Sequence, residues 1–258
     1  MKQFILGFPP DSNGFIRLSG GDYHYLVRVR RLAPGENFPC LLPSGEEVLV
    51  QVLSVDGGVL TGKSLPFGRP EKRCQSPVPP IILFQALPKG DKMDLIVRQA
   101  AEGAVSEIVP FASEFSVPKT KSAGRIQRWE RIIREARQQS GSRVPTRVLP
   151  PLDIDGLFTY WDELQGRHPG ALGIFFHQIP LEKASLHGYL GKGPEIVALA
   201  VGPEGGFSSG EAALFLAAGF KPLTIGDTVL RTETAALYGA AAIRTILLES
   251  NSWLQKPL

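Results

Sequence analysis

A chain of 258 residues with 43% hydrophobic side chains has material for one large core or two ordinary ones. With 21% charged residues and a net charge of +3, it is not a disordered polyelectrolyte. Its two cysteines, Cys40 and Cys74, have neither CxxC nor metal-ligand spacing, which fits a reducing compartment better than a disulfide framework.

The N-terminal MKQFILGFPPD lacks the apolar core of a signal peptide. The longest apolar runs fall short of the roughly 18 residues that cross a bilayer. The sequence therefore reads as a soluble cytoplasmic protein with no membrane partner.

Residues 1 to about 70 break into short strand-like pieces. Phe15–Leu18 is one. Glu47–Val55 alternates Val48, Val50 and Val52 against Leu49, Gln51 and Leu53, and the turn at Asp56-Gly57-Gly58 predicts a hairpin into Val59-Leu60-Thr61. Ser19–Arg31 is predicted as a short helix with Arg28, Arg30 and Arg31 at its basic end. Short strands with little helix suggest a small β-barrel. Its arginines fit an RNA contact and a solvated helix end equally well.

Five prolines between Pro66 and Pro80 mark a domain boundary, placed at 72/73. Beyond it the rhythm changes to β-α-β: strand Ile81–Phe84, helix Asp91–Ala104, strand Glu107–Phe111, which implies a parallel sheet. Lys89-Gly90-Asp91-Lys92 joins the first strand to its helix.

Arg125–Ser140 is predicted helical, with Ile126, Trp129, Ile132, Ile133 and Ala136 on one apolar stripe. Arg125, Arg128, Arg131, Arg134 and Arg137 recur every third residue. Each step turns about 300°, so they wrap the exposed side rather than line one face. From Lys119 to Arg147 nine basic residues meet two acidic ones, an excess of seven that leaves the remainder of the chain at −4. That is an electrostatic footprint for a polyanion or a dimer seam; a solvated face is the plain alternative.

Pro145–Pro169 reads as loop-rich. Leu172–Phe176 is another buried strand, and His177 after it is given no role. Ile196–Val201 is apolar without alternation, as in a strand buried on both faces. It breaks at Gly202-Pro203-Glu204-Gly205-Gly206, and Ser208 to Glu211 has capping-box spacing for the next helix, which Gly219 ends. Leu223–Ile225 is the last strand. Gly226 and Val229–Ala235 follow, then a helix rich in Ala and Leu to about Ser250.

Phosphate-loop, G-x-G-x-x-G and G-x-S-x-G motifs are absent, and no His/Cys/carboxylate cluster has metal spacing. Two glycine-containing loops follow two late strands: GPEGGFS at 202–208 and IGDTVLRTETA at 225–235. Ligands of open α/β sheets bind at such strand ends. Together these loops resemble the cofactor-binding knot of the SPOUT methyltransferases, and more closely the RsmE family, ribosomal RNA small subunit methyltransferase E. The resemblance spans nearly the whole chain. YLVRVRRLAPGE at 25–36 is similar to that family's HxxRVLRxxxG signature. Lys89–Met93, the helix around Glu102, Arg128-Trp129, Glu135–Ser140 and Arg143-Val144-Pro145 follow in order. LRTETA at Leu230–Ala235 is the most distinctive match. The chain departs from the family pattern at Thr228, where a basic residue is common, and at Gln99, where lysine is.

The resemblance implies a PUA-like β-barrel, residues 1–72, and a SPOUT domain, residues 73–258, whose parallel sheet is flanked by helices and closes a deep trefoil knot, a topology otherwise almost excluded. It implies a homodimer, S-adenosylmethionine as methyl donor, no metal, and methylation of N3 of a uridine in 16S ribosomal RNA of the small subunit. The cofactor residues it points to are Leu199, Gly202, Pro203, Glu204, Gly205, Gly206, Ile225, Gly226, Leu230, Thr232 and Ala235. Uridine N3 carries a weakly acidic proton, so Arg231 is expected to stabilise the base anion, and Glu204 or Glu233 to orient Arg231 or relay the proton. An ion pair of Arg231 with Glu233 at a helix start is the structural alternative. RNA contacts are expected from Arg28, Arg30, Arg31, Lys89, Arg128, Arg134, Arg137 and Arg143. A SPOUT enzyme acting on another RNA position, or a non-catalytic RNA-binding relic, are the competing readings. The intact pair of loops argues against the relic.

Overall fold

The computed structural model describes residues 4–66, 78–116, 123–178 and 185–250. The chain divides into two compact units. The first holds residues 1–75 and 137–145, the second 76–136 and 146–258.

The first unit is a five-stranded sheet, built from β1 (Phe4–Ile5), β2 (Phe15–Leu18), β3 (Asn37–Leu41), β4 (Glu47–Asp56) and β5 (Val59–Pro66), in the order β1-β3-β4-β5-β2. Alternation in β4 puts Val48, Val50 and Val52 into a core with Phe4, Leu18, Leu26, Phe38 and Leu60. After Val52 the register against β5 shifts at a bulge, and Leu53, on the outward side of the alternation, is exposed. The segment predicted as one short helix is α1 (Gly20–Tyr23) running into a π-helical stretch, His24–Val29. Arg31 follows at φ 59°, outside the helix.

The second unit is a six-stranded parallel sheet: β6 (Ile81–Ala86), β7 (Glu107–Phe111), β8 (Arg147–Val148), β9 (Ala171–Phe176), β10 (Ile196–Val201) and β11 (Lys221–Leu223), in the order β11-β9-β10-β6-β7-β8. Every residue of β6, β7 and β10 is buried, as continuous apolar runs demand of strands covered on both faces. One face packs α2 (Lys92–Glu102), α3 (Ala123–Ser140) and α7 (Thr232–Ser250). The other packs α4 (Ile154–Arg167) and α6 (Ser209–Ala217) over an aromatic cluster of Phe84, Phe111, Trp161, Phe175, Phe215 and Phe220. A short α5 (Leu186–Leu190) precedes β10.

Trp129, Ile132, Ile133 and Ala136 of α3 are buried as the stripe predicts, and Trp129 Nε1 donates to Asp94 at 3.1 Å. The arginines do not all wrap the outside. Arg137 is only 5% exposed, with Nε and Nη2 unpaired among the described residues, and burial lowers the pKa of its guanidinium.

Two further expectations are corrected. The stretch read as loop-rich between Pro145 and Pro169 contains the 14-residue α4. Its prolines flank the helix without entering it, Asp153 caps its start by accepting from the Gly156 amide at 2.8 Å, and Leu157, Trp161 and Leu164 recur on one buried face. The last strand lies two residues earlier than predicted, so Thr224 and Ile225 leave the sheet.

Candidate active site

The carboxyl ends of β9, β10 and β11 open on a cleft that is continuous with solvent. The loop after β10 enters it through a tight turn closed by the Gly206 amide on the Pro203 carbonyl at 2.9 Å. Gly206 sits at φ 71°, and a Cβ on Gly202 would stand 3.0–3.3 Å from the Gly206 and Phe207 backbone, so this turn needs glycine twice. The capping box then starts α6 as predicted. Ser208 Oγ accepts from the Glu211 amide at 3.2 Å, and Glu211 Oε2 accepts from the Ser208 amide at 2.9 Å.

The second loop, 224–231, forms the facing wall. A hydrogen-bonded turn at Gly226-Asp227 bends this loop, and its backbone edges lie beside the apolar Ile225, Leu230, Val201 and Pro203. Apolar walls with available backbone edges suit an adenosine-like group and give no grip for a string of phosphates.

The two loops are tied together from below. Thr232 Oγ1 donates to the Gly202 carbonyl at 2.7 Å and accepts from Gln85 Nε2 at 3.0 Å. Gln85, at the end of β6, is fully buried and also donates to the Ala86 carbonyl at 2.9 Å.

A charged cluster stands at the rim. Lys92 Nζ lies 2.7 Å from Glu204 Oε1 and 3.8 Å from Glu233 Oε2. The Lys89 amide donates to both Glu204 oxygens at 3.2 and 3.3 Å. Burial alone would raise the Glu204 pKa, but the Lys92 hydrogen bond and the backbone amides outweigh it and hold the carboxyl below its ordinary value. Lys92 is correspondingly raised, chiefly by its hydrogen bond to Glu204. Arg231 is exposed, pairs with no carboxylate among the described residues, and is close enough for its charge to oppose that of Lys92.

The expected cofactor residues line this cleft except two. Leu199 is buried in β10, and Gly205 lies against Phe115. Glu204 lines it. Arg231 and Glu233 do not, although Glu233 reaches Lys92 at the rim. Sequence reasoning misses Gln85 and Lys92 as site residues and gives His177 no role; His177 and Gln178 line the cleft beyond β9. The expected RNA residues are scattered. Arg28 and Arg31 are exposed, and Arg30 lies over the Phe38 ring at 6.0 Å. Lys89 is exposed, Arg128 pairs with Asp94, Arg143 pairs with Glu47 at 2.8 Å, Arg134 is half-buried, and Arg137 is buried.

Comparison with known proteins decides what carries this cleft. The sequence profile of an RNA methyltransferase domain matches residues 74–244, and that of an RNA methyltransferase PUA domain matches residues 18–61. A ribosomal RNA small subunit methyltransferase E of Synechocystis is 31% identical over 234 residues, 90% of this chain and 73% of that protein. This chain belongs to the RsmE family. A second family member, from Borreliella burgdorferi, is 28% identical over 97% of this chain and its own full length. Among solved RsmE structures, that of the Neisseria gonorrhoeae enzyme bound to S-adenosyl methionine is 25% identical, with a TM-score of 0.74 over 95% of this chain and 98% of that one. The PUA domain and the RNA methyltransferase domain are the five-stranded sheet and the parallel α/β sheet described above. Among the described residues, no helix is long and apolar enough to cross a membrane, and no three His, Cys, Asp or Glu residues are grouped to hold a metal ion.

Proposed function

We propose that this protein is an S-adenosylmethionine-dependent methyltransferase acting on N3 of a uridine in 16S ribosomal RNA. The observation that carries the reading is the convergence of loops 202–206 and 224–231 on one cleft, with the Glu204–Lys92 pair at its rim. The Neisseria enzyme, solved with S-adenosyl methionine bound, supports the donor, and the names of the family relatives support the substrate class.

The residues fit the donor. Ile225, Leu230 and Pro203 offer apolar contact to the adenine, and the backbone of 226–230 offers hydrogen bonds to its edge and to the ribose. Bound there, S-adenosylmethionine supplies an electrophilic methyl group. Arg231 holds the negative charge of the uridine once N3 is deprotonated. Glu204, kept ionised by Lys92, takes up or relays the N3 proton, and Glu233 positions Lys92.

The N-terminal domain and the basic residues Arg28, Arg31, Lys89 and Arg128 hold ribosomal RNA by charge. The domain of residues 73–258 threads the trefoil knot of its superfamily and pairs as a homodimer, for which exposed Leu237 and Tyr238 on α7 supply apolar surface. The protein works in the cytoplasm, where its substrate is. Calorimetric titration of the purified protein with S-adenosylmethionine tests the donor: saturable binding is expected, and a flat titration would exclude it.

A further inference from the structure

Among the described phenylalanines near the cleft, Phe115 stands apart from the aromatic cluster. After β7 the chain makes a tight turn in which the Ser116 amide donates to the Ser113 carbonyl at 3.0 Å and Ser116 Oγ accepts from the Ser113 amide at 3.1 Å. The Glu114 amide donates to Glu211 Oε1 at 2.9 Å, which bolts the turn to the carboxylate that closes the capping box of α6. Phe115 is thereby held against the glycine loop. A Cβ on Gly205 would come within 3.0 Å of Phe115 Cβ and 3.3 Å of its ring carbons. Phe115 is nevertheless 45% exposed, and among the described residues its ring pairs with no other aromatic ring. Nearby, Phe111, Phe175, Phe207 and Phe215 all pack ring on ring.

Filling the space over Gly205 needs only a small aliphatic group. Phe115 is exposed while packing on Gly205, the residue that follows Glu204, the partner of Lys92. A flat apolar surface packed on the residue next to a paired carboxylate suits a planar heterocycle with a polar edge. An enzyme that modifies a ring atom of a base must take that base out of its stack, and the base then gains a new stacking partner. We infer that Phe115 is the platform on which the target pyrimidine stacks, with its polar edge turned to Glu204, Lys92 and Arg231. The inference rests on the methyltransferase reading above and adds the residue that receives the base.

The test compares Phe115→Ala, Phe115→Leu and Phe115→Trp with the unaltered protein, measuring kcat and KM for small ribosomal subunits and donor affinity by calorimetry. Stacking on an aromatic predicts that Phe115→Ala raises KM for RNA by about 5- to 150-fold while donor affinity stays within about twofold. Phe115→Leu, which keeps the packing on Gly205, should be nearly as impaired, and Phe115→Trp should restore binding. A leucine variant as good as the original, or a parallel loss of donor affinity, would reduce Phe115 to a support of the loop and overturn the inference alone. An unaltered protein that binds the donor but methylates no RNA would overturn the function and this inference with it.

Discussion

Lys92 Nζ and Glu204 Oε1 lie 2.7 Å apart, which joins the first turn of α2 to the glycine loop after β10 across 112 positions of sequence. The same ammonium is 3.8 Å from Glu233 at the start of α7. One lysine therefore neighbours two carboxylates and holds one of them, Glu204, ionised. In Lys92→Met, Glu204 loses the hydrogen bond that keeps its pKa down, so the acid limb of the turnover profile should move to higher pH. Stability should follow the signs of the two shifts. The Glu204 contribution exists above the ordinary carboxylate range and is lost as pH falls through its lowered value. The Lys92 contribution exists below the ordinary lysine value and is lost as pH rises through its raised one. The melting-temperature gap between the original protein and Lys92→Met should thus be level from about pH 6 to pH 9 and close below about pH 4. Melting curves across that range check it; a gap that widens in acid contradicts the pairing.

Thr232 ties the two loops, and Gln85 holds Thr232. Thr232→Val removes both bonds and leaves buried polar groups unpaired, at a cost of about 1–3 kcal/mol. Urea unfolding should show that loss, and calorimetry a weakened donor affinity. Gln85→Leu should cost less, because Thr232 can still donate to Gly202 and because the Gln85 Oε1 atom already lacks a partner among the described residues.

Two glycines in helices should respond with opposite signs. A Cβ on Gly239 of α7 would stand 2.5 Å from Phe176 Cζ and 2.7 Å from Leu199 Cδ2, so Gly239→Ala overpacks the core and should cost about 1–3 kcal/mol. Gly166 in α4 faces open space, and Gly166→Ala should gain about 0.5–1 kcal/mol from helix propensity. Urea midpoints separate the two.

Cys40 is buried in the first unit, and burial, with the Glu47 charge adding to it, pushes its thiol pKa up to about 12. At pH 8 it is protonated and enclosed. Iodoacetamide should leave Cys40 unlabelled in the native protein and label it in urea, as peptide mass mapping would show.

Local patterns in the sequence carry much of the fold. The unbroken apolar run Ile196–Val201 announces a central strand, and the Ser208–Glu211 spacing announces the capping box that follows it. Helix α4 is hidden because its flanking prolines outweigh the Leu157, Trp161 and Leu164 stripe between them. In the site, the glycine loops are legible because their turns require glycine. Gln85 is not. In sequence it is one polar residue ending a buried strand, and its role comes from a partner 147 positions away. Lys92 is visible as part of Lys89–Met93, but not that it takes Glu204 as its partner. Arg137 carries the opposite error: threefold spacing promises a surface charge, and packing buries it.

Nucleoside mass spectrometry tests the central claim most directly. Small ribosomal subunits from a strain lacking this protein would be incubated with S-adenosylmethionine and either the purified protein or its Arg231→Ala variant. The account predicts 3-methyluridine in the digest with the original protein and none with the variant, which should still bind the donor. A methyl group found on a ribose or on another base, or 3-methyluridine formed at full rate by Arg231→Ala, would contradict it.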